Sequence, residues 1–157
     1  MRMGTSTFEY HKDKEKTLAS RARGLFTVGD IGYLDRDGYL YLCDRKADLI
    51  ISGGVNIYPA EIESELSCHP AVEDVAVFGI PHDEWGEQIK AVVQPTADAT
   101  PGPELTAELL AFLDGRIAAY KRPRSIDYVA QLPREPNGKL YKRKLRDPYW
   151  AGRDQKI

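Results

Sequence analysis

The segment that most constrains this chain is residues 44–63, where a charged stretch leads into a short apolar run, a glycine pair and a proline-led run of helix formers. The apolar run, residues 49–51, predicts a strand. Gly53 and Gly54 lack a Cβ, so the backbone there can turn at positive φ or pass close to a ligand. Pro59 predicts the start of a helix, because a missing amide hydrogen costs least in the first turn. The three glutamates of that helix are expected to point largely to water.

Hydrophobic periodicity predicts the other elements. Residues 25–42 have the pattern of a β-hairpin, with Gly38 supplying the turn. The remaining predicted elements, in chain order, are strands over residues 72–80 and 89–94, an amphipathic helix over 104–120, a strand over 125–132 and a short basic helix over 140–146. This order predicts an α+β fold: a small mixed sheet with helices packed on it, preceded by the hairpin and a polar N-terminal arm.

Composition and charge exclude several classes of function. The 157 residues suffice for one domain and an appendage, and the net charge of −2 argues against general attraction to nucleic acid. No apolar run approaches the roughly 20 residues of a transmembrane helix, and the N-terminus lacks the apolar core of a signal peptide. Cys43 and Cys68 do not have the spacing of metal ligands. We therefore expect a cytoplasmic protein with two packing thiols and no metal site.

Residues 44–63 resemble the hinge region of the AMP-forming acyl-CoA synthetases, in the adenylating superfamily that also includes luciferases and peptide-synthetase adenylation domains. Two further motifs support the resemblance: residues 26–30, an aromatic followed by Thr-Val-Gly-Asp, and residues 132–139, Leu-Pro followed by a turn and Gly-Lys. Residues 44–63 look most like those of bacterial fatty-acid–CoA ligases. The resemblance implies that residues 1–44 are a remnant of a large N-terminal adenylation domain and residues 45–157 a small, mobile C-terminal domain.

The resemblance implies a nucleotide role for two residues near the hinge. Asp30 matches the family aspartate that accepts hydrogen bonds from the ribose hydroxyls of ATP, and a carboxylate can accept from two vicinal hydroxyls at once. Arg45 matches a family arginine that also contacts the ribose. By themselves, Asp30 in a turn and Arg45 in a charged segment have ordinary structural explanations. Ala47 occupies the hinge position, where the family usually has Asp or Lys, but a hinge moves through its backbone dihedrals.

Lys139 matches the catalytic lysine of the family's adenylation half-reaction. A carboxylate and the α-phosphate of ATP are both anionic, so a positioned ammonium can bridge them and stabilise the charge that develops during transfer. The alternative is a solvated lysine at the start of a basic tail. A nucleotide-binding P-loop is excluded, because no glycine stands five residues before Gly138 and Leu140 follows Lys139 where Ser or Thr is required.

For the second half-reaction the resemblance implies two segments that contact coenzyme A. After adenylation the small domain rotates, and its glycine loop lines a tunnel for the pantetheine arm; a basic segment holds the nucleotide of CoA by stacking and by phosphate pairing. The implied CoA-binding residues are Ser52, Gly53, Gly54, Tyr120, Arg122 and Arg124. A tight turn and cations at a helix C-terminus would explain the same residues without a ligand.

His82 invites a catalytic interpretation because it stands beside Asp83. Neighbours in a turn need not face each other, and no nucleophile lies nearby in the sequence. We therefore predict that His82 is a surface turn residue and that Trp85 is a packing anchor.

The phosphate loop, the adenine pocket and the acyl pocket of the family belong to the large domain, and this sequence contains none of them. The prediction is thus the C-terminal part of an acid–CoA ligase, most like one for fatty acids, which does not turn over alone. ATP with Mg²⁺ and coenzyme A would be ligands of the complete enzyme, with none held tightly here. The expected partners are the N-terminal adenylation domain and CoA. Two alternatives stay open: an adenylating enzyme that loads a carrier protein, and a stand-alone basic-tailed binding module.

Overall fold

The computed structural model describes residues 9–22 and 25–153. The chain divides into two compact units, Met1–Ala47 and Asp48–Ile157. The first eight residues of the predicted N-terminal arm lie outside the described residues.

The first unit is a short helix followed by two small antiparallel pairs of strands. Its elements are α1 (Lys14–Ala19), β1 (Arg21–Ala22), β2 (Leu25–Phe26), β3 (Asp30–Leu34) and β4 (Leu40–Arg45). In the β3–β4 turn the Asp35 carboxylate accepts hydrogen bonds from the amides of Asp37 and Tyr39, at 3.0 and 2.9 Å. Gly38 adopts φ +85°, a conformation that side-chain-bearing residues rarely take. The predicted turn is therefore confirmed, but the hairpin spans residues 30–45, and residues 25–26 of the predicted range pair with β1 instead.

The β3–β4 hairpin has large apolar side chains on both of its faces. Tyr33 and Tyr41 are cross-strand partners, and their rings stack 5.1 Å apart on one face. Leu34, Leu40 and Leu42 lie on the other face, and each is more than 60% exposed in this chain. A two-stranded hairpin in water is marginally stable by itself. These side chains thus form an apolar surface of the first unit.

The second unit is a five-stranded mixed sheet with three helices, which confirms the predicted α+β class. The elements are β5 (Ile50–Ser52), β6 (Val55–Ile57), α2 (Pro59–Leu66), β7 (Val72–His82), β8 (Gly86–Pro95), α3 (Pro103–Phe112), β9 (Ser125–Tyr128) and α4 (Lys142–Trp150). The strand order is β6-β5-β8-β7, and β9 adds to β8 in parallel. Strands β7 and β8 form one long antiparallel hairpin, which extends beyond the predicted strand ends.

Strands β7 and β8 are buried on both faces, as the continuous apolar run in β7 predicts. Val75 and Val77 face one core with the apolar residues of α2 and α3. Ala76 and Phe78 face a second, smaller core, on which Leu145 of α4 packs. The two cores fix β7 and β8 between layers of helix, so the ends of this hairpin are rigid supports for the loops that meet them.

Two predictions about the helices need correction. Helix α3 ends at Phe112 and does not reach residue 120, because the chain turns at Gly115 with φ +72°. Leu113 and Ile117 remain buried although they follow the helix.

The glutamates of α2 do not simply point to water. Glu63 is 20% exposed; its Oε1 accepts the amide hydrogen of Val77 at 2.6 Å and lies 2.7 Å from the ammonium of Lys142. Glu61 and Glu65 also pair with cations at the surface. The periodicity of α2 therefore gives its face correctly but misses the polar contacts that attach this helix to β7 and α4.

Candidate functional site

Lys139 lies at the end of a tight turn that precedes α4. Arg134 and Leu140 form an isolated bridge across the base of this turn. Within it, the amide of Glu135 donates to the carbonyl of Lys139 and the amide of Gly138 donates to the carbonyl of Glu135, both at 2.8 Å. The Lys139 side chain is exposed, and among the described residues its ammonium contacts no partner. The turn thus closes its backbone by hydrogen bonds and presents the exposed Lys139 side chain.

Two ion pairs brace this turn against the sheet and against α2. The Arg134 guanidinium donates to the carbonyl of Gly138 at 2.7 Å and pairs with Asp74 near the start of β7. On the other side of the turn, Lys142 pairs with Glu63 of α2. The backbone that carries Lys139 is therefore held at both ends, while its side chain is exposed.

The glycine pair forms the two-residue turn between β5 and β6. Gly53 and Gly54 have φ of +57° and +79°, the signs that a type I′ turn requires at both central residues. A Cβ built on either glycine would meet nothing within 4 Å in this chain. Positive φ alone therefore explains glycine in this structure, and the space outside the turn is open.

A cavity of about 230 Å³ adjoins this turn. The structure brings together around it Ser52, Gly53, Tyr120, Arg122 and Arg124, five of the six residues predicted to bind CoA. Gly54 does not line the cavity. The remaining wall is formed by Val55, Ile57, Trp85, Gln88 and Ile89. Residues far apart in the sequence thus converge on one concave surface that is part apolar and part cationic.

Trp85 belongs to the wall of the cavity, a role that the sequence did not reveal. The Arg124 guanidinium carbon lies 4.5 Å from the centre of the Trp85 ring, and the His82 ring stacks on Trp85 at 4.4 Å. Sequence alone placed Trp85 in the β7–β8 turn as a packing residue, because the partner that orients it comes from a segment about forty residues later. Arg122 pairs with Asp114, which leaves Arg124 as the less neutralised guanidinium of the pair.

His82 has a structural role, in agreement with the prediction. Its Nδ1 accepts hydrogen bonds from the backbone amides of Glu84 and Trp85, at 3.2 and 3.3 Å. These contacts shape the β7–β8 turn, whose carbonyl at Trp85 then accepts the amide hydrogen of Gly53 at 2.9 Å.

Lys139 and the glycine turn lie at opposite ends of the β7–β8 hairpin. Arg134, at the base of the Lys139 turn, contacts Asp74, whereas Ser52 pairs with Gly86, the partner of His82. Asp74 and His82 are eight residues apart on β7, so at about 3.3 Å per residue the two ends are about 26 Å apart. The glycine turn and the Arg134–Asp74 contact that holds the Lys139 turn therefore lie near different ends of β7.

The first unit brings Asp30 and Arg45 together. They are cross-strand partners at the open end of the β3–β4 hairpin, with Arg45 Nε 3.7 Å from Asp30 Oδ1. The Asp30 side chain is 33% exposed, so its carboxylate remains open to a ligand. Ala47 lies in a 3-10 turn, Lys46–Asp48, and the division between the two compact units falls directly after it.

No helix within residues 9–22 and 25–153 is long and apolar enough to cross a membrane.

Known proteins resemble this chain in sequence and in structure. Residues 61–139 match the family model of the AMP-binding enzyme C-terminal domain. The chain is 45% identical to a 2-succinylbenzoate–CoA ligase of Geobacillus kaustophilus over 87% of its length. It is 43% identical to the long-chain-fatty-acid–CoA ligase FadD13 of Mycobacterium tuberculosis over 91%, and 38% identical to the fatty acid–[acyl-carrier-protein] ligase ScoC of Streptomyces coeruleorubidus over 95%.

Among solved structures, the o-succinylbenzoate CoA synthetase MenE of Bacillus subtilis, in complex with its acyl-adenylate intermediate, superposes with a TM-score of 0.76. It is 38% identical, and the match covers 92% of this chain and 28% of that one. This chain likewise spans only 27–28% of the length of the three curated relatives. It belongs to the family of AMP-binding enzyme C-terminal domains, within the adenylating superfamily that includes the acid–CoA ligases.

Proposed function

We propose that this chain is the C-terminal part of an AMP-forming acid–CoA ligase, in which two separate surfaces of the second unit serve two successive half-reactions. The observation that carries the proposal is the placement of Lys139 and of the cavity at the glycine turn, at opposite ends of the β7–β8 hairpin. A single rigid unit with two such surfaces can act twice at one centre only by rotating between the two steps.

In the first half-reaction a carboxylate attacks the α-phosphate of ATP, forms the acyl-adenylate and expels pyrophosphate. Lys139 would bridge the carboxylate and the phosphate, because its ammonium is exposed and contacts no partner among the described residues. Arg134 and Lys142 hold the turn that carries it. The ATP in this step would arrive with Mg²⁺, which neutralises its outer phosphates.

In the second half-reaction the CoA thiol attacks the acyl carbonyl and AMP leaves. The cavity at the glycine turn has the residues that the nucleotide end of CoA requires: aromatic rings of Tyr120 and Trp85 for stacking, and guanidinium groups of Arg122 and Arg124 for phosphates. Gly54 would border the path of the pantetheine arm.

The nucleotide of ATP would be held at the first unit. The Asp30 carboxylate is placed to accept from ribose hydroxyls, and Arg45 lies beside it. Rotation of the second unit would use the backbone at Ala47, since the 3-10 turn there joins the two compact units.

A large N-terminal domain would complete the enzyme. The chain spans 27–28% of its curated relatives, and the β3–β4 hairpin has apolar side chains that such a domain would cover. We therefore propose that this chain alone does not catalyse the overall reaction. A fatty acid is our proposed substrate from the character of residues 44–63, although the relatives include a ligase for 2-succinylbenzoate as well.

Loading of a carrier protein is the second candidate, favoured by the likeness to ScoC, a fatty acid–[acyl-carrier-protein] ligase. A carrier protein offers the same phosphopantetheine thiol as CoA but no adenine nucleotide. The cationic, aromatic cavity favours CoA. Isothermal titration of the chain with CoA and with a phosphopantetheinylated carrier protein separates the two functions: binding of the carrier protein with no heat from CoA would favour the second.

The proposed function is tested in a chimera in which this chain replaces the matching C-terminal part of the Geobacillus ligase. Pyrophosphate release measures adenylation, and thioester formation from supplied succinylbenzoyl-adenylate and CoA measures the second step. Lys139→Ala should slow the first step on the order of 10²–10³-fold and leave the second step unchanged. Arg143→Ala, an exposed cation of α4, is the matched control. Equal loss of both steps in Lys139→Ala would contradict the assignment.

A further inference from the structure

Glu87 is a buried carboxylate that neither half-reaction uses. Its residue is only 9% exposed, and it lies on β8 next to Gly86, the strand partner of Ser52. Its Oε2 accepts the backbone amide hydrogen of Ile51 at 3.3 Å. Burial raises the pKa of the Glu87 carboxyl, although the Ile51 amide and the charge of Arg146 act in the opposite direction. A buried carboxylate is costly, so this contact needs a physical explanation.

The register of the β5–β6 hairpin explains why a carboxylate is needed at Ile51. The two-residue turn makes Ser52 and Val55 a hydrogen-bonded pair, so the next pair along, Ile51 and Asn56, is non-hydrogen-bonded. The amide of Ile51 therefore points away from β6, toward β8. The backbone ladder between β5 and β8 has a single registered pair, Ser52 with Gly86. Glu87 supplies the acceptor that no β8 carbonyl offers to Ile51.

Gly79 on β7 makes the room for this contact. A Cβ at Gly79 would overlap Oε2 of Glu87 and would lie 3.2 Å from Cγ2 of Ile50. Its φ is not positive, so glycine here is explained by space. The indole of Trp150 donates to the carbonyl of Gly79 at 3.1 Å. Because Gly79 of β7 has no side chain, it leaves a slot beside β8. The Glu87 carboxyl of β8 passes through this slot and reaches the amide of Ile51 on β5.

Ile50 of β5 and Ile57 of β6 are buried in the main core, which anchors the base of the β5–β6 hairpin. Nearer the glycine turn, the polar contacts to β8 and to the β7–β8 turn include the Ser52–Gly86 pair, the hydrogen bond from Gly53 to the carbonyl of Trp85, and the Ile51–Glu87 contact. The last of these joins the backbone amide of Ile51 to a side-chain carboxyl oxygen, so removing that carboxyl would leave the amide without this acceptor. The Ile51–Glu87 hydrogen bond is made by the residue immediately before Ser52. It therefore fixes the orientation of the β5 backbone where the strand enters the glycine turn.

We propose that Glu87, seated in the slot left by Gly79, is a positioning residue that holds the glycine turn at the cavity for thioester formation. This inference rests on the proposed function. The inference adds Glu87 to the proposed function as a residue that contacts neither CoA nor ATP and acts through the backbone of Ile51. The predicted loss is selective for the second half-reaction, since the Lys139 turn lies at the other end of β7.

The first test uses the chain itself and does not depend on any activity. Native-state amide exchange, followed by NMR, is compared for the parent chain, Glu87→Ala, Glu87→Gln and Gly79→Ala. In Glu87→Ala and Gly79→Ala the amides of Ile51 and Gly53 should exchange about 10- to 100-fold faster, while core amides of β8 keep their protection. Glu87→Gln retains an acceptor oxygen and should stay close to the parent. Unchanged exchange at Ile51 in Glu87→Ala would overturn the proposal.

The second test measures the two half-reactions of the same variants in the chimera. Glu87→Ala and Gly79→Ala should slow thioester formation on the order of 10- to 100-fold with adenylation unchanged, and Glu87→Gln should recover most of the loss. Glu65→Gln, which removes a surface carboxylate of α2, is the control. Equal loss in both steps would show a purely structural role and overturn the proposal. If the parent chimera forms no thioester, the proposed function fails, and the amide-exchange result alone decides whether Glu87 positions the turn.

Discussion

Replacement of Gly54 distinguishes two reasons for glycine at this position: the positive φ of the turn and the space that a bound pantetheine arm would need. Gly54 has φ +79°, and a Cβ there would meet nothing within 4 Å in this chain. The cost of Gly54→Ala to folding should therefore be conformational only, about 1–2 kcal/mol for a residue held in the left-handed region. The larger Gly54→Leu should cost a similar amount, because the space outside the turn is open.

The effect on thioester formation should be much larger than this folding cost. If the pantetheine arm passes close to Gly54, the leucine side chain would block it, and thioester formation should fall on the order of 100-fold or more. Adenylation should be unchanged, since it uses the other end of the hairpin. Urea denaturation of the chain gives the folding cost, and the two half-reactions of the chimera give the catalytic effect.

Gly38→Leu is the matched control for this experiment. Gly38 is also a hairpin-turn glycine, with φ +85° and no atom within 4 Å of a built Cβ. It should show the same conformational strain with thioester formation intact. If Gly54→Leu forms thioester as fast as Gly38→Leu, glycine at position 54 serves the turn alone and the tunnel has to be abandoned.

Three further predictions concern polar contacts of the second unit. Glu63→Ala should lower the free energy of unfolding by about 1–3 kcal/mol, because it leaves the amide of Val77 without its acceptor. Glu65→Ala, which removes a surface ion pair with Arg116, should lower it by only about 0–1 kcal/mol. Equal losses for the two variants in urea denaturation would refute this difference. Because the pKa of Glu87 is raised, its contribution to stability is fully present below its ordinary pKa of 4.5 and is lost as pH rises through the folded-state pKa. Glu87→Gln removes this titration and should flatten that part of the stability–pH curve. Parallel curves for the parent and the variant would contradict a raised pKa at Glu87. Trp85→Ala should weaken CoA binding to the chain about fivefold to tenfold in calorimetric titration by removing the surface on which Arg124 lies, and unchanged affinity would exclude stacking at this wall.

Local chemistry made much of this fold predictable. Pro59 opens α2, Gly38 and the glycine pair form turns at positive φ, and the apolar run in β7 is buried on both faces. Each of these follows from a residue's own backbone preference or from a short period of hydrophobicity. The helix boundary at Phe112 was missed, because the preference of Gly115 for a turn outweighed a continuing apolar pattern.

The candidate site was predictable only as separate segments. The sequence identified the glycine pair, the basic segment and Lys139 through their resemblance to a family. It did not show that the glycine turn and the basic segment line one cavity, or that the Lys139 turn contacts a different part of the sheet. The sequence predicts a packing residue at Trp85 and a solvated one at Glu63, because it does not show the partners of these residues, which lie in distant segments.

The sequence by itself determined the turns at Gly38 and at the glycine pair, the burial of β7 on both faces and the family that the motifs resemble, since these depend on local conformational energy and on side-chain type. Only the tertiary structure decided that five predicted CoA residues share one cavity, that Lys139 lies at the far end of the same hairpin, and that Gly79 makes a slot for Glu87. The physical reason is that these relations depend on strand register. Pairing β5 and β7 with β8 sets distances between residues that no local preference specifies.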